Sequence, residues 1–336
     1  MFIKVDQMRD LKLPRNRIFM LLLAVPALIL FTGCPDNSDE EQRSQEHRFF
    51  DLYMASRYPD LEPQPSGIYY IEHREGAGLT PDGDDWVKFN YVFSVIPEEE
   101  IIETSLEHVA MQYAELYDAD ALYGPFKIQN GTMVEGFTEG LMLMREGGQA
   151  TMFFTSDLGY GAKGKGQVGP YQSLKFEVEL LEVIGDIEAY ELNRLRSYVD
   201  TIVGADTIHD PATDAVMYYV IDEPGEGNAI AEDTLVEIVY RGSLIDGRVF
   251  DENDADDPFR FTVGEKEVIM GWEFGIRRFT EGAKGRMIIP YQLGYSDIGS
   301  KTSSGHVAVP PYETLIFHIE VVATNSTTTG KEEPGD

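Results

Sequence analysis

The chain has a single cysteine, Cys34, in 336 residues, so no internal disulfide can form and any fold is held by packing. Its six histidines are scattered rather than set at metal-ligand spacing, and no metal or cofactor site is read from them. Basic residues are scarce: 27 Lys plus Arg stand against 59 Asp plus Glu, a formal net charge of -32. A surface of that sign repels a phosphate backbone, which argues against nucleic acid as a partner. The glycine-rich run Gly159-Tyr160-Gly161-Ala162-Lys163-Gly164 lacks the spacing of a phosphate loop. The apolar run 18–31 has fourteen positions, fewer than the ~20 that a helix needs to cross a bilayer core.

That run follows Arg9, Lys12, Arg15 and Arg17 and precedes Thr32-Gly33-Cys34, the order of a cleaved signal rather than of a membrane span. A small residue before a lone cysteine resembles a bacterial lipoprotein signal, although Phe31 stands where leucine is usual. The resemblance implies removal of residues 1–33 and acylation of Cys34, with Met1 or Met8 as the start. Residues 34–45, which include Asp36, Asp39, Glu40 and Glu41, then read as an acidic, flexible tether. The expected address is the bacterial cell envelope: lipid-anchored and extracytoplasmic, facing the periplasm or the cell surface, with the outer membrane favoured.

The rest of the chain repeats itself. Gly67-Ile68-Tyr69-Tyr70-Ile71 and Trp86-Val87-Lys88-Phe89-Asn90-Tyr91 match Val216-Met217-Tyr218-Tyr219-Val220 and Leu235-Val236-Glu237-Ile238-Val239-Tyr240 at one offset. Further on, Pro125-Phe126 answers Pro258-Phe259, Gly136-Phe137 answers Gly271-Trp272, Gly159-Tyr160 answers Gly294-Tyr295, and Lys175-Phe176 answers Ile316-Phe317. The offset drifts, so loops differ in length while the framework persists. Alternation in Phe176-Glu177-Val178-Glu179-Leu180 and Phe317-His318-Ile319-Glu320-Val321 predicts antiparallel strands with one buried face. Segments 44–58 and 186–203 read as helices, each leading into the repeat that follows.

In the second repeat Tyr240, Phe250-Asp251, Phe259, Val268-Ile269, Trp272, Tyr295 and Phe317 recur in one order with no nucleophile beside them. This set resembles the FKBP-type peptidyl-prolyl cis-trans isomerases. The resemblance implies an α+β fold, with two tandem FKBP-like domains, each a curved antiparallel sheet wrapped around a short helix. It places a divergent domain at 46–185, an isomerase domain at 186–323 and a disordered tail at 324–336. It further implies Trp272 as the floor under a prolyl ring, Tyr240, Phe250, Phe259 and Phe317 as walls, and Val268 beside them. The Ile269 amide and the Tyr295 hydroxyl would bind substrate carbonyls, Asp251 would shape the field near the rotating carbonyl, and Val309 would close the pocket. No cofactor is implied. The partners would be unfolded or partly folded proline-containing polypeptides, with the membrane reached through Cys34.

The first repeat is the more divergent. Tyr91, Phe126, Val134, Tyr160 and Phe176 answer their counterparts, but Ile102-Glu103 stands where Phe250-Asp251 does and Phe137 replaces Trp272. A weaker pocket is expected there. Residues 104–124 are an insertion, read either as a helix over the mouth of that pocket or as extra core cover. In the second repeat the run Glu252-Asn253-Asp254-Ala255-Asp256-Asp257 carries no basic partner for Asp251, which predicts a preference for Lys or Arg near the substrate proline. The competing function is a proline-reading chaperone or envelope scaffold with little turnover.

Overall fold

The computed structural model of the protein describes residues 38–326. The expected signal, Cys34 and the end of the expected tail lie outside the described residues. The chain opens with helix α1 (Ser38–Arg57), so residues 38–45 are helical and the expected tether is shorter. The reason is electrostatic: Asp39, Glu40 and Glu41 occupy its first turn and Arg57 its last, complementing the helix dipole. Arg43 also donates two bonds to Asp157, at 2.8 and 2.6 Å. Glu46, Phe50, Tyr53 and Met54 fall on one buried face. The three apolar ones pack on Ile96 and Phe153, while the Glu46 carboxylate accepts from Ser156 N (2.6 Å), Ser156 Oγ (2.5 Å) and Ser173 Oγ (2.8 Å).

The first unit contains β1 (Tyr69–Arg74), β2 (Trp86–Ile96), β3 (Glu100–Thr104), α2 (Glu107–Ala110), β4 (Phe126–Gln129), α3 (Glu135–Met142), β5 (Gln149–Phe154) and β6 (Ser173–Ile184). Helix α4 (Ile187–Val199) follows, capped by the Asp186 side chain accepting from Ala189 N at 3.0 Å. The second unit contains β7 (Asp206–His209), β8 (Val216–Glu223), β9 (Thr234–Leu244), β10 (Val249–Glu252), β11 (Phe259–Thr262), α5 (Met270–Gly275), β12 (Lys284–Ile289), β13 (Ser300–Lys301), β14 (Val307–Val309) and β15 (Leu315–Ser326). Strand β15 outruns the boundary expected at 323. Thr324, Asn325 and Ser326 pair with Val236, Leu235 and Thr234 of β9, so these three residues belong to the sheet rather than to the expected tail.

Both sheets are antiparallel and share one topology. The first runs β1-β5-β6-β2-β3 with β4 also on β2, and the second runs β10-β9-β15-β12-β8-β7 with β11 also on β9. Matched strand for strand the two orders coincide, and β7 is an extra edge strand on β8. Alternation along β15 sends Leu315, Phe317, Ile319 and Val321 into the core around α5, while Ile316 faces the other way and packs with Ile288 and Leu195 of α4. Strand β6 repeats the pattern with Leu174, Phe176, Val178 and Leu180 around α3. Each sheet thus wraps one short helix, the α+β arrangement expected.

The insertion gives core cover, with Ala110, Leu116 and Leu122 buried, rather than the alternative of a helix over a pocket mouth. After Thr104, which ends β3, it holds only the single turn α2 and a series of turns, and Met111, Tyr113 and Tyr117 are exposed. Its end crosses to the second unit, where Leu122 is buried within that unit's core. A second link is ionic: Lys127 on β4 pairs with Glu191 of α4 and with Glu313 (3.0 Å), and Arg194 reaches Glu191 (2.8 Å) and Glu313 (3.4 Å). The Lys127, Glu191 and Glu313 side chains are all buried.

Candidate functional site

The second unit brings the aromatic and aliphatic residues of the expected pocket onto one core, with Asp251 tied to it through Tyr240. Tyr240 lies on β9, Phe250 and Asp251 on β10, Phe259 on β11, Trp272 on α5, Val309 on β14 and Phe317 on β15. Val268 and Ile269 come just before α5, and Tyr295 follows a short 3-10 turn at Tyr291–Leu293. Trp272 is 3 % exposed, and four rings stand edge-on around its indole: Phe317 at 5.0 Å, Tyr240 at 5.2 Å, Phe261 at 5.8 Å and Phe259 at 5.9 Å between centroids. Edge-to-face pairs of this kind contribute ~0.5–1.5 kcal/mol each beyond the area they bury. Phe250 meets Phe317 edge-on at 5.4 Å.

The entry to α5 is fixed by Glu273. Its buried carboxylate accepts from Gly264 N (2.8 Å) and Lys266 N (3.1 Å), holding a turn in which Gly264 has φ +99°. Ile269 is extended, and its carbonyl accepts from Trp272 N at 2.9 Å to start the helix.

Electrostatics centre on one carboxylate. The Tyr240 hydroxyl donates to Asp251 Oδ2 at 2.5 Å. Burial, then that hydrogen bond and the Asp251 charge, push the Tyr240 phenol well above its ordinary range. Burial and Asp251 raise Tyr295 as well. Both phenols therefore remain neutral donors. Asn253 fixes the strand beside them, its Oδ1 accepting from Tyr240 N at 2.7 Å.

In the first unit Tyr91, Ile102, Val134, Phe137, Tyr160 and Phe176 share one core, and Phe126 stands 6.0 Å from Tyr91. Tyr91 donates to Glu103 Oε1 at 2.6 Å, so the longer carboxylate takes the place of Asp251. The aromatic wall is rearranged. Phe93 stacks on Phe176 at 4.4 Å, and its counterpart on β9 is Gly242, where a Cβ would meet Phe250 at 2.7 Å. One copy builds the wall from the inner strand and the other from the outer. Sequence reasoning missed Phe93 and Gly242; the exchange of Gly242 for Phe93 beside that of Phe250 for Ile102 was the available signal.

The family model described as FKBP-type peptidyl-prolyl cis-trans isomerase matches residues 79–181 and 227–322, more than half of the chain. The chain belongs to this family. It is similar to the peptidyl-prolyl cis-trans isomerase FKBP15-2 of Arabidopsis thaliana, 40 % identical over 101 residues, covering 30 % of this chain and 59 % of the relative. It is also similar to a probable FKBP-type peptidyl-prolyl cis-trans isomerase of Haemophilus influenzae, 33 % identical over 114 residues, covering 34 % of this chain and 44 % of that one. The chain thus spans about half the length of these relatives. Among solved structures, FkpA from Escherichia coli aligns at 28 % identity and TM-score 0.35, over 42 % of this chain and 60 % of that one.

Proposed function

We propose that the second unit is a peptidyl-prolyl cis-trans isomerase acting on Xaa-Pro bonds of extracytoplasmic proteins. The observation that carries the reading is the ring of Tyr240, Phe259 and Phe317 around Trp272, with Tyr240 bonded to Asp251 at its edge. Rotation about an Xaa-Pro bond meets a barrier of ~18–20 kcal/mol because the amide loses its resonance. The twisted amide carries a smaller dipole than the planar one, so a dry aromatic pocket favours it. Each tenfold in rate needs about 1.4 kcal/mol of such differential stabilisation. In this reading Trp272 supports the prolyl ring, Val268, Phe250 and Val309 complete the pocket, and the Ile269 amide and Tyr295 hydroxyl hold substrate carbonyls. The acidic run 252–257 would favour clients with Lys or Arg near the proline. Lipid attachment at Cys34 would place this activity at the bacterial envelope.

A second reading, a proline-binding chaperone, is favoured by the first unit, where Glu103 and Phe93 rebuild the pocket edge in altered form. Isomerisation of an Xaa-Pro peptide panel by the soluble chain from residue 35, beside Asp251→Ala and Trp272→Phe, separates the two. Turnover reduced by Asp251→Ala supports the enzyme; peptide binding without turnover in the parent chain would replace it with the chaperone.

A further inference from the structure

The loop after Tyr295, which carries Val309, is held partly from outside its own unit. After Tyr295 the chain forms the small hairpin β13–β14, in which Ser300 pairs with Val309 and Lys301 with Val307. A two-stranded ribbon of this size is marginal alone. Its ties run to the insertion of the first unit. Leu122 N donates to Val307 O at 2.8 Å, and the Leu122 side chain, 5 % exposed, lies in the same core as Val309 and Trp272. Asp118 Oδ2 accepts from Thr302 Oγ1 at 2.9 Å and from Ser304 Oγ, with His306 Nδ1 at 3.3 Å. The far end of the loop is gripped as well, by Trp86 edge-on to Tyr312 at 5.1 Å and Lys127 to Glu313 at 3.0 Å. Both loops also close on themselves, Tyr312 N donating to Ser296 O in the second unit and Tyr171 N to Gly161 O in the first, each at 3.0 Å; what the second loop adds is the set of ties to Asp118 and Leu122.

We propose that the insertion of the first unit is a strut that positions the pocket loop of the second, so that Asp118 and Leu122 are positioning residues for the isomerase site. The proposal rests on the isomerase reading above. It gives the divergent unit a role that needs no turnover of its own: it completes its neighbour's pocket.

The test uses the full soluble chain with Asp118→Ala, Leu122→Ala and the double variant, beside the conservative Asp118→Asn and Leu122→Met. Amide exchange over residues 300–309 is expected to rise in the alanine variants. In the double variant kcat/KM should fall ~10-fold, by an amount that depends on the residues flanking the proline. The conservative pair should recover most of the loss. Asp118→Ala removes only polar ties, so it keeps the test open should Leu122→Ala fold poorly. Unchanged exchange in the loop, or raised exchange with unchanged peptide kinetics, would overturn the strut. Should the parent chain bind peptide without turnover, the isomerase reading fails separately, and an affinity unaltered by the double variant would then overturn the strut.

Discussion

Tyr240 donates its hydroxyl to Asp251 across 2.5 Å, and Tyr91 does the same to Glu103 across 2.6 Å. The bond fixes the position of the carboxylate at the pocket edge. Removing the donor with Tyr240→Phe forfeits a charge-assisted bond of ~1.5–3 kcal/mol, and kcat/KM is expected to fall roughly tenfold. Asp251→Glu, the residue type that the first unit carries, should lose less than Asp251→Ala. Peptide isomerisation by the three variants checks the order.

The Phe93 and Gly242 exchange makes a second prediction. Gly242→Phe places a ring where Phe250 already stands, and overpacking of this kind typically costs ~1–3 kcal/mol. Adding Phe250→Ile reproduces the arrangement of the first unit and should recover both melting temperature and peptide binding. A double variant no better than the single one would mean that the two walls are not equivalent.

The pH dependence follows from the phenols. Tyr240 and Tyr295 have raised values in the folded chain. Their contribution to stability is therefore complete below the ordinary tyrosine value of about 10 and is lost as pH rises through the folded values. Neither phenol should impose a titration on kcat/KM at neutral to mildly alkaline pH. A profile with a midpoint near pH 8 that disappears in Tyr240→Phe would contradict this.

The ionic link between the units predicts a large stability effect. Lys127→Met leaves Glu191 and Glu313 buried with Arg194 as their remaining described partner, and breaking such a group costs ~3–5 kcal/mol. Pairing it with Glu313→Gln should recover part of that loss. Chemical denaturation of the full chain measures both.

The repeat and the aromatic cores were legible because aromatic core positions sit at fixed places on strands and tolerate little change in spacing. Trp272, Tyr240 and Phe317 align with Phe137, Tyr91 and Phe176 in the sequence itself. The start of α1 was not legible, because Asp39, Glu40 and Glu41 suit a solvated tether and a helix N-terminus equally well. The crossing of Leu122 was hidden for another reason. Its partners lie far along the chain, and the helical spacing of Val109, Tyr113, Leu116 and Tyr117 points to a face that does not include Leu122.

Leu122 belongs to a core whose last strand ends at Ser326. During synthesis the first unit therefore emerges and can fold while this side chain still has nothing to pack against. Chains are made at ~5–20 residues per second, and domains tend to fold as they appear. The second unit is then completed against a template that is already in place, so the order of the two copies along the chain is also an order in time.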